Sequence, residues 1–309
     1  MINSSSLLTT ACLAIAFSLP ASAGDFTLGA DTGYAKLNAA GVGLSFSTIG
    51  DPGNSAATPS SRGWGQVDYV YSMATTEVSW AQYAVFLNDT GYSSYMFQSS
   101  GASYIGLYQN SDGSVGVRAG CADKAVCYIR YSEAVAFSNW LGTGSATQAG
   151  SFNLPTASEW YKAAYYDANR YGTGQGGYWL YGTGADTLTE TGAFYGYLAI
   201  EPNNSQWPEV DYGMFNQNGL YGMTAGVEEW TSTAQNGAGT RHWVLGGSWG
   251  NLAADLTNAR LNNLADTSAN AKLGFRISTT LTAVPEPSTY ALGLGALALG
   301  WAAWRRRHR

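Results

Sequence analysis

The stretch from residue 169 to residue 218 constrains the fold more than any other part of the sequence. It is rich in Gly, Tyr and Asn, and it shows no sustained hydrophobic period over about 50 residues. Irregular segments of that length are uncommon inside a compact domain. The chain contains 21 Tyr and 11 Trp residues, and such large side chains allow long loops to pack on one another. The sequence therefore predicts a loop-rich fold, in which this stretch could also form a binding surface.

Three short helices are predicted before this stretch. Ser79 and Gln82 match a capping box, in which each side chain accepts a hydrogen bond from a backbone N–H at the helix start, and Thr156 and Glu159 match a second one. Ser132 is predicted to cap the helix between them. The expected apolar faces are Tyr83, Phe86 and Leu87, then Ala134, Phe137 and Leu141, and then Trp160, Ala163 and Ala164.

Charge and histidine content exclude several classes of function. Apart from four arginines at the C-terminal end, 11 basic residues stand against 21 acidic ones. This balance argues against nucleic acid, whose phosphates require a basic surface. His242 is the single histidine before the tail, which excludes zinc sites that use two or three histidines. A Ser-His-Asp triad would have to include His242.

Cys121 and Cys127 are the two cysteines that follow residues 1–23. Two close cysteines in an oxidising compartment favour a local disulfide. A soft-metal or redox pair is the alternative, although the spacing is not C-x-x-C.

Both ends of the chain have features typical of export. Residues 1–23 contain an apolar run that ends in Ala-Ser-Ala, a pattern that signal peptidase cleaves, so the mature chain is predicted to begin near Gly24. Residues 290–304 form a second apolar segment before the basic tail, residues 305–309. Fifteen helical residues reach about 22 Å, less than the hydrocarbon core of about 30 Å, which favours transient membrane insertion.

The C-terminal residues 284–309 resemble the PEP-CTERM sorting signal of Gram-negative bacteria that make exopolysaccharide. Val284, Pro285, Glu286 and Pro287 come first, followed by the apolar segment and the basic tail. The resemblance implies that an exosortase-type enzyme processes the tail, whose apolar segment starts in the inner membrane. It implies a final place at the cell surface or in the extracellular matrix.

Seven sequence blocks within residues 45–279 resemble, in order, the formylglycine-generating-enzyme or sulfatase-modifying-factor domain. They are EVSWAQYAVFLN, VCYIRYSEAVAFSNWL, FNLPTASEWYKAAYYD, GYWLYGTGADT, GLYGMTAGVEEWT, VLGGSW and LGFRIS. The resemblance implies an α+β, loop-rich fold related to C-type lectins, with short capped helices and small antiparallel sheets. Residues 24–44 form an N-terminal segment without a clear signal.

The resemblance also bears on activity. Family members that oxidise a substrate cysteine to formylglycine have two cysteines after the GGS-aromatic block, and these hold Cu(I). Asn251 and Leu256 occupy those positions here. An amide and an isobutyl group cannot replace two thiolates, which a soft cuprous ion prefers, so copper is not expected. An oxidoreductase with a rearranged site that uses Cys121 and Cys127 is the alternative.

The block that contains Glu229 resembles that of calcium-binding members of the family. The resemblance implies the Glu229 carboxylate and the backbone carbonyls of Ala225 and Val227 as ligands. Gly222 stands where an Asn would supply one more oxygen. A water molecule can complete the calcium coordination where a protein oxygen is missing. The resemblance therefore predicts a calcium site of reduced affinity.

Glu229 and three tryptophans could have a structural role in the core instead of a role in binding. Glu229 could form an ion pair with Arg260 or Arg276 in the core. The aromatic side chains that could line a sugar-stacking cleft are more typical of a packed core: Trp230, Trp243 and Trp249.

These observations predict an exported surface or exopolysaccharide-associated protein with a non-catalytic domain that binds or organises the matrix. Extracellular polysaccharide is the expected ligand. A structural coat component without a soluble ligand is the second interpretation.

Overall fold

The computed structural model describes residue 26 and residues 28–57, 62–98, 105–188, 215–251 and 255–281. The predicted signal peptide, the Val284–Pro287 motif, residues 290–304 and the basic tail lie outside these ranges, as do residues 189–214 of the irregular stretch. Within the described ranges, no helix combines the length and apolar character needed to cross a membrane.

Short helices and short strands alternate along the described chain. The helices are α1 (Gly33–Ala39), α2 (Trp80–Thr90), α3 (Tyr131–Thr143) and α4 (Ala157–Tyr165), with a 3₁₀ turn at Tyr95–Gln98. The strands are β1 (Phe46–Ile49), β2 (Tyr71–Ala74), β3 (Leu107–Gln109), β4 (Val115–Val117), β5 (Phe152–Asn153), β6 (Tyr166–Asp167), β7 (Gly177–Tyr178), β8 (Glu228–Ala234), β9 (Arg241–Leu245), β10 (Asn262–Ala265), β11 (Leu273–Gly274) and β12 (Ser278–Thr279).

The strands form two four-stranded sheets, in the orders β1-β2-β12-β5 and β10-β9-β8-β11, and two hairpins, β3-β4 and β6-β7. Neighbouring strands are antiparallel, apart from the parallel pair of β11 and β8. β11 and β12 follow one another closely, so the segment between them joins the two larger sheets. The predicted α+β fold with small sheets is confirmed.

Both predicted capping boxes are present. At α2 the Ser79 N–H donates to Gln82 Oε1 at 2.9 Å, and the Gln82 N–H donates to Ser79 Oγ at 3.3 Å. At α4 the Thr156 N–H donates to Glu159 Oε2 at 2.7 Å, and the Glu159 N–H donates to Thr156 Oγ1 at 3.1 Å. These reciprocal bonds satisfy backbone donors that would otherwise lack partners at the helix start.

The prediction that Ser132 caps α3 is wrong, because the cap residue is Arg130. Glu133 Oε2 accepts the Arg130 N–H at 2.8 Å, while Glu133 Oε1 accepts from Ser94 Oγ at 2.6 Å and from the Tyr95 N–H at 2.8 Å. The helix start is thus fixed partly by a segment about 40 residues earlier in the chain, which local spacing does not reveal.

Two hydrophobic clusters form the core. The first joins α2, α3 and the β1-β2-β12-β5 sheet, and the second surrounds α4. The N-terminal segment belongs to the first cluster through Tyr34, Leu37 and Leu44. All the residues predicted for the three apolar helix faces are buried. Trp230 and Trp243 are buried as well, and Trp249 packs half-buried against the first cluster.

Candidate functional site

An open cleft of about 630 Å³ lies beside α4 and the β6-β7 hairpin. We call it the tyrosine cleft. Its lining consists of residues 51–57, Tyr161, Tyr166, Arg170, Tyr171, Gly174, residues 176–178 and Asn258. Much of this lining belongs to the first part of the irregular stretch, which the sequence analysis identified as a possible binding surface.

Four tyrosines give the cleft an aromatic surface with polar edges. The Tyr178 ring lies 5.7 Å from the Tyr161 ring and 5.1 Å from the Tyr166 ring, measured between centroids. Tyr171 extends toward solvent with 65% of its surface exposed. Rings with an apolar face and a hydroxyl edge can contact ligands that are themselves part apolar and part polar.

Polar side chains hold these rings in place. Tyr166 Oη donates to Asp51 Oδ2 at 2.5 Å, and Asn54 Nδ2 donates to Tyr178 Oη at 2.9 Å. Burial and the Asp51 carboxylate raise the pKa of Tyr166 to about 12. Tyr166 therefore stays a neutral hydroxyl at physiological pH. Tyr161 Oη donates to the Asn258 carbonyl at 3.0 Å, which ties the α4 side of the cleft to the opposite wall.

Arg170 is fixed in the cleft wall. Its Nη2 lies 2.8 Å from Asp186 Oδ1 and 2.7 Å from Asp186 Oδ2. Its guanidinium carbon lies 4.5 Å from the centroid of the Trp179 ring and 5.0 Å from that of Tyr171. Cation–π contacts and the ion pair together set the orientation of the exposed Tyr171.

A buried ion-pair cluster lies on the other side of α4. We call Glu77, Glu229, Arg276 and Trp160 the arginine cluster. Arg276 Nε donates to Glu229 Oε2 at 2.7 Å and to Oε1 at 2.9 Å, and the Trp160 indole N–H donates to Oε2 at 2.7 Å. Arg276 and Glu229 are both fully buried. Of the two partners considered for Glu229, Arg276 is the one observed, while Arg260 pairs with Glu228.

Glu77 is the second carboxylate of the arginine cluster. Its Oε2 lies 3.7 Å from Arg276 Nη2 and has no hydrogen-bond partner among the described residues. Burial is the largest cause that raises its pKa, to about 8, and Glu229 adds to this, whereas Arg276 lowers it. A Cβ at Gly222 or Gly226 would touch the Glu77 carboxylate, and both glycines have positive φ.

The arginine cluster does not fit the calcium site that the sequence led us to expect. The Glu229 carboxylate is engaged by Arg276 and Trp160, and a guanidinium beside these oxygens opposes a divalent cation. An Asn side chain at position 222 would meet the Glu77 carboxylate. Calcium ligation by Glu229, Ala225 and Val227 stays a prediction for a titration to test.

The two positions that correspond to copper-binding cysteines are occupied by packing and hydrogen bonding. Asn251 Oδ1 accepts from the Ser248 N–H and from Ser248 Oγ, each at 2.8 Å. Leu256 is buried, and its side chain lies where a Cβ on Gly247 would be. These groups do not fit a Cu(I) ion, which requires soft sulfur ligands.

Cys121 and Cys127 are not joined by a disulfide in the structure, which differs from the predicted disulfide. Cys127 is fully buried inside the first core cluster, whereas Cys121 is only partly buried at its edge. Burial raises the pKa of both thiols, so neither is a ready thiolate at neutral pH. The tyrosine cleft borders the second core cluster, and neither cysteine lines it.

His242 packs inside the protein. Its Nδ1 lies 2.7 Å from Asp266 Oδ1, and its ring stacks on Tyr131 with centroids 3.7 Å apart. Within the described residues, no group of three or more His, Cys, Asp and Glu side chains could hold a metal ion.

Comparisons with known proteins agree with this fold. The sequence model of the sulfatase-modifying factor enzyme 1-like domain matches residues 23–281, and that of the PEP-CTERM protein-sorting motif matches residues 283–307. A search of curated proteins finds no match.

Many solved structures are similar to the chain, among them the following three. Treponema denticola variable protein 1 has 17% identity and a TM-score of 0.52, over 77% of this chain and 95% of its own. CarF has 18% identity and a TM-score of 0.48, over 77% of this chain and 99% of its own. PvdO from Pseudomonas aeruginosa has 13% identity and a TM-score of 0.48, over 77% and 92%. At these identities the likeness to the Treponema protein shows a shared fold.

Proposed function

This chain belongs to the sulfatase-modifying factor enzyme 1-like family, and from this premise we propose that it is a non-catalytic, exported protein that binds extracellular polysaccharide through the tyrosine cleft. The PEP-CTERM motif implies export in a Gram-negative bacterium and processing by an exosortase-type enzyme. The proposal adds the ligand class and a final place in the surface matrix.

The chemistry of the tyrosine cleft supports a sugar ligand. Sugar rings offer apolar C–H faces that stack on aromatic rings, and hydroxyls that exchange hydrogen bonds with carboxylates and amides. The cleft has Tyr171 and Tyr178 for the first kind of contact, and Asp51 and Asn258 for the second. Concave sites with a few convergent polar groups are the usual place for ligands. The exposed Tyr171, held by Arg170, is the observation that carries the proposal.

The absence of thiols from the copper positions supports a binding role over the oxidoreductase alternative. Asn251 and Leu256 provide no thiolate, and burial keeps Cys121 and Cys127 protonated. A domain without its redox ligands retains the scaffold and the cleft.

Replacement of the exposed cleft tyrosine tests the proposal. The full chain, purified in detergent because of its apolar C-terminal segment, is run by affinity electrophoresis through gels that contain alginate or a soluble β-glucan. We expect the wild type to be retarded and Tyr171→Ala to lose at least about fivefold in affinity, since stacking of a nucleobase on one aromatic ring contributes about 1–3 kcal/mol and sugar stacking is taken to be of the same order. Tyr108→Ala is the matched control, because Tyr108 is also exposed and lies on the β3-β4 hairpin, outside the cleft lining.

Equal retardation of wild type and Tyr171→Ala would place binding outside the cleft and contradict the proposal. No retardation in any polysaccharide gel, with the protein folded, would favour the structural coat interpretation.

A further inference from the structure

The loop of residues 62–65 extends the wall of the tyrosine cleft. The Ala57 N–H donates to the Trp64 carbonyl at 3.0 Å, and Asn54 Nδ2 donates to the Gly65 carbonyl at 2.7 Å. A Cβ at Gly65 would touch the Tyr178 ring. The loop is therefore hydrogen-bonded to the cleft-lining residues Asn54 and Ala57 and lies beside the cleft.

Arg62, at the start of this loop, is held by stacking. Its guanidinium carbon lies 4.6 Å from the centroid of the Trp243 ring, and Trp243 meets Trp64 edge to face with centroids 5.0 Å apart. The Arg62 side chain is exposed. Among the described residues it forms no ion pair, in contrast to Arg170, Arg260 and Arg276. A guanidinium that stacks by one face still has its N–H groups free to form a bidentate contact with a carboxylate.

Backbone strain is also concentrated at this place. Asp51, Arg62 and Tyr128 are the described non-glycine residues with positive φ, at 53°, 56° and 60°. Asp51 lines the cleft and Arg62 starts the adjoining loop. Such conformations cost free energy and cluster at binding sites, where surrounding contacts maintain them.

We propose that Arg62 forms an anion subsite next to the tyrosine cleft, and that the ligand is an acidic polysaccharide with a uronate carboxylate at Arg62. This inference rests on the proposed polysaccharide binding and specifies its ligand. Arg62 is three residues from Gly65, so their Cα atoms are at most about 10 Å apart. A sugar polymer that lies on Tyr178 can thus reach Arg62 with a neighbouring sugar unit. Acidic residues predominate over the rest of the chain, so an anionic polymer is repelled by most of the surface and attracted where an arginine such as Arg62 is exposed.

Oligosaccharides of matched length separate the two proposals. Binding of alginate oligomers, which carry a carboxylate on each sugar, and of neutral β-glucan oligomers to the full chain is measured by calorimetry at low and at high salt. We expect the wild type to prefer the alginate oligomer by about tenfold, as one charge-assisted contact allows. Arg62→Gln should abolish this preference and its salt dependence and leave affinity for the neutral oligomer unchanged.

Arg118→Gln is the matched control, because Arg118 is also exposed and lies outside the cleft lining. An unchanged alginate preference in Arg62→Gln would overturn the anion subsite, as would equal wild-type affinity for both oligomers. Loss of all binding in Tyr171→Ala together with a normal preference in Arg62→Gln would leave the cleft valid and remove only the subsite. Wild-type failure to bind either oligomer would overturn both.

Discussion

Two neighbouring residues of α4 belong to two polar regions, the arginine cluster, which is buried, and the tyrosine cleft, which is open to solvent. The Trp160 indole donates to Glu229 in the arginine cluster, whereas the next residue, Tyr161, lines the tyrosine cleft. In the arginine cluster Glu229 and Arg276 are buried and bonded to each other. In the tyrosine cleft Tyr171 is open to solvent, and Arg62 is exposed on the adjoining loop. Polar groups that are buried and paired with one another stabilise the folded state. Polar groups in an open cleft are hydrated, and a ligand can displace that water.

The comparison predicts the largest effect at Arg276. Arg276→Met leaves Glu229 buried without its counter-ion, and removal of one partner of a buried pair typically costs about 3–5 kcal/mol. We expect the free energy of unfolding in urea to fall by this amount. Arg118→Gln is the surface control, and because Arg118 Nε donates one hydrogen bond to the Ile105 carbonyl, the control should lose no more than about 1 kcal/mol. A loss below about 1 kcal/mol in Arg276→Met would show that the cluster is not a main stabilising element.

Glu77 should make stability depend on pH. Its pKa rises from 4.5 to about 8 on folding, so its contribution is fully present below the unfolded value and is lost as pH rises through the folded value. We expect wild-type stability to decline between about pH 5 and about pH 8, relative to Glu77→Gln, which has no such proton. Urea unfolding of both proteins across this range measures the difference. Parallel curves would show that Glu77 is ionised throughout.

A smaller effect is expected from the cleft. Tyr166→Phe removes the hydrogen bond to Asp51, and a bond of this kind contributes about 1 kcal/mol. Thermal unfolding should show a modest decrease in melting temperature. Tyr108→Phe provides the control, since Tyr108 is exposed on the β3-β4 hairpin. A destabilisation as large as that of Arg276→Met would mean that the cleft is part of the folding core after all.

Calcium should have the smallest effect. Because Arg276 and Trp160 engage the Glu229 carboxylate, we expect the melting temperature to be the same with calcium and with a chelator. A clear rise with calcium would show that the folded protein binds the ion, and it would reopen the calcium site that the family resemblance suggests.

Local sequence patterns predicted the elements whose cause is local. The boxes of Ser79 with Gln82 and of Thr156 with Glu159 were found because each bond joins residues three apart. The cap of α3 was missed because Glu133 is shared with Ser94 and Tyr95, far away in the chain. Composition and periodicity predict local hydrogen bonds and burial, but they do not predict which residues distant in sequence will form hydrogen bonds.

The candidate site was only partly predictable. The irregular stretch suggested a binding surface, and the structure places Arg170, Tyr171, Gly174 and residues 176–178 in the cleft lining. The positions of Asp51 and Asn54 in the cleft lining were not predicted, because no motif joins these residues to that stretch. Arg62 and Gly63 both have positive φ. No local sequence pattern predicts this backbone conformation for the arginine.

The sequence by itself determined the family, the α+β class and the C-terminal sorting motif, because these depend on residue identity and order. The tertiary structure decided that Glu229 pairs with Arg276 and that the irregular stretch meets residues 51–57 in an open cleft. Those outcomes depend on side chains that are far apart in sequence, which meet only when burial of the two cores brings their segments together.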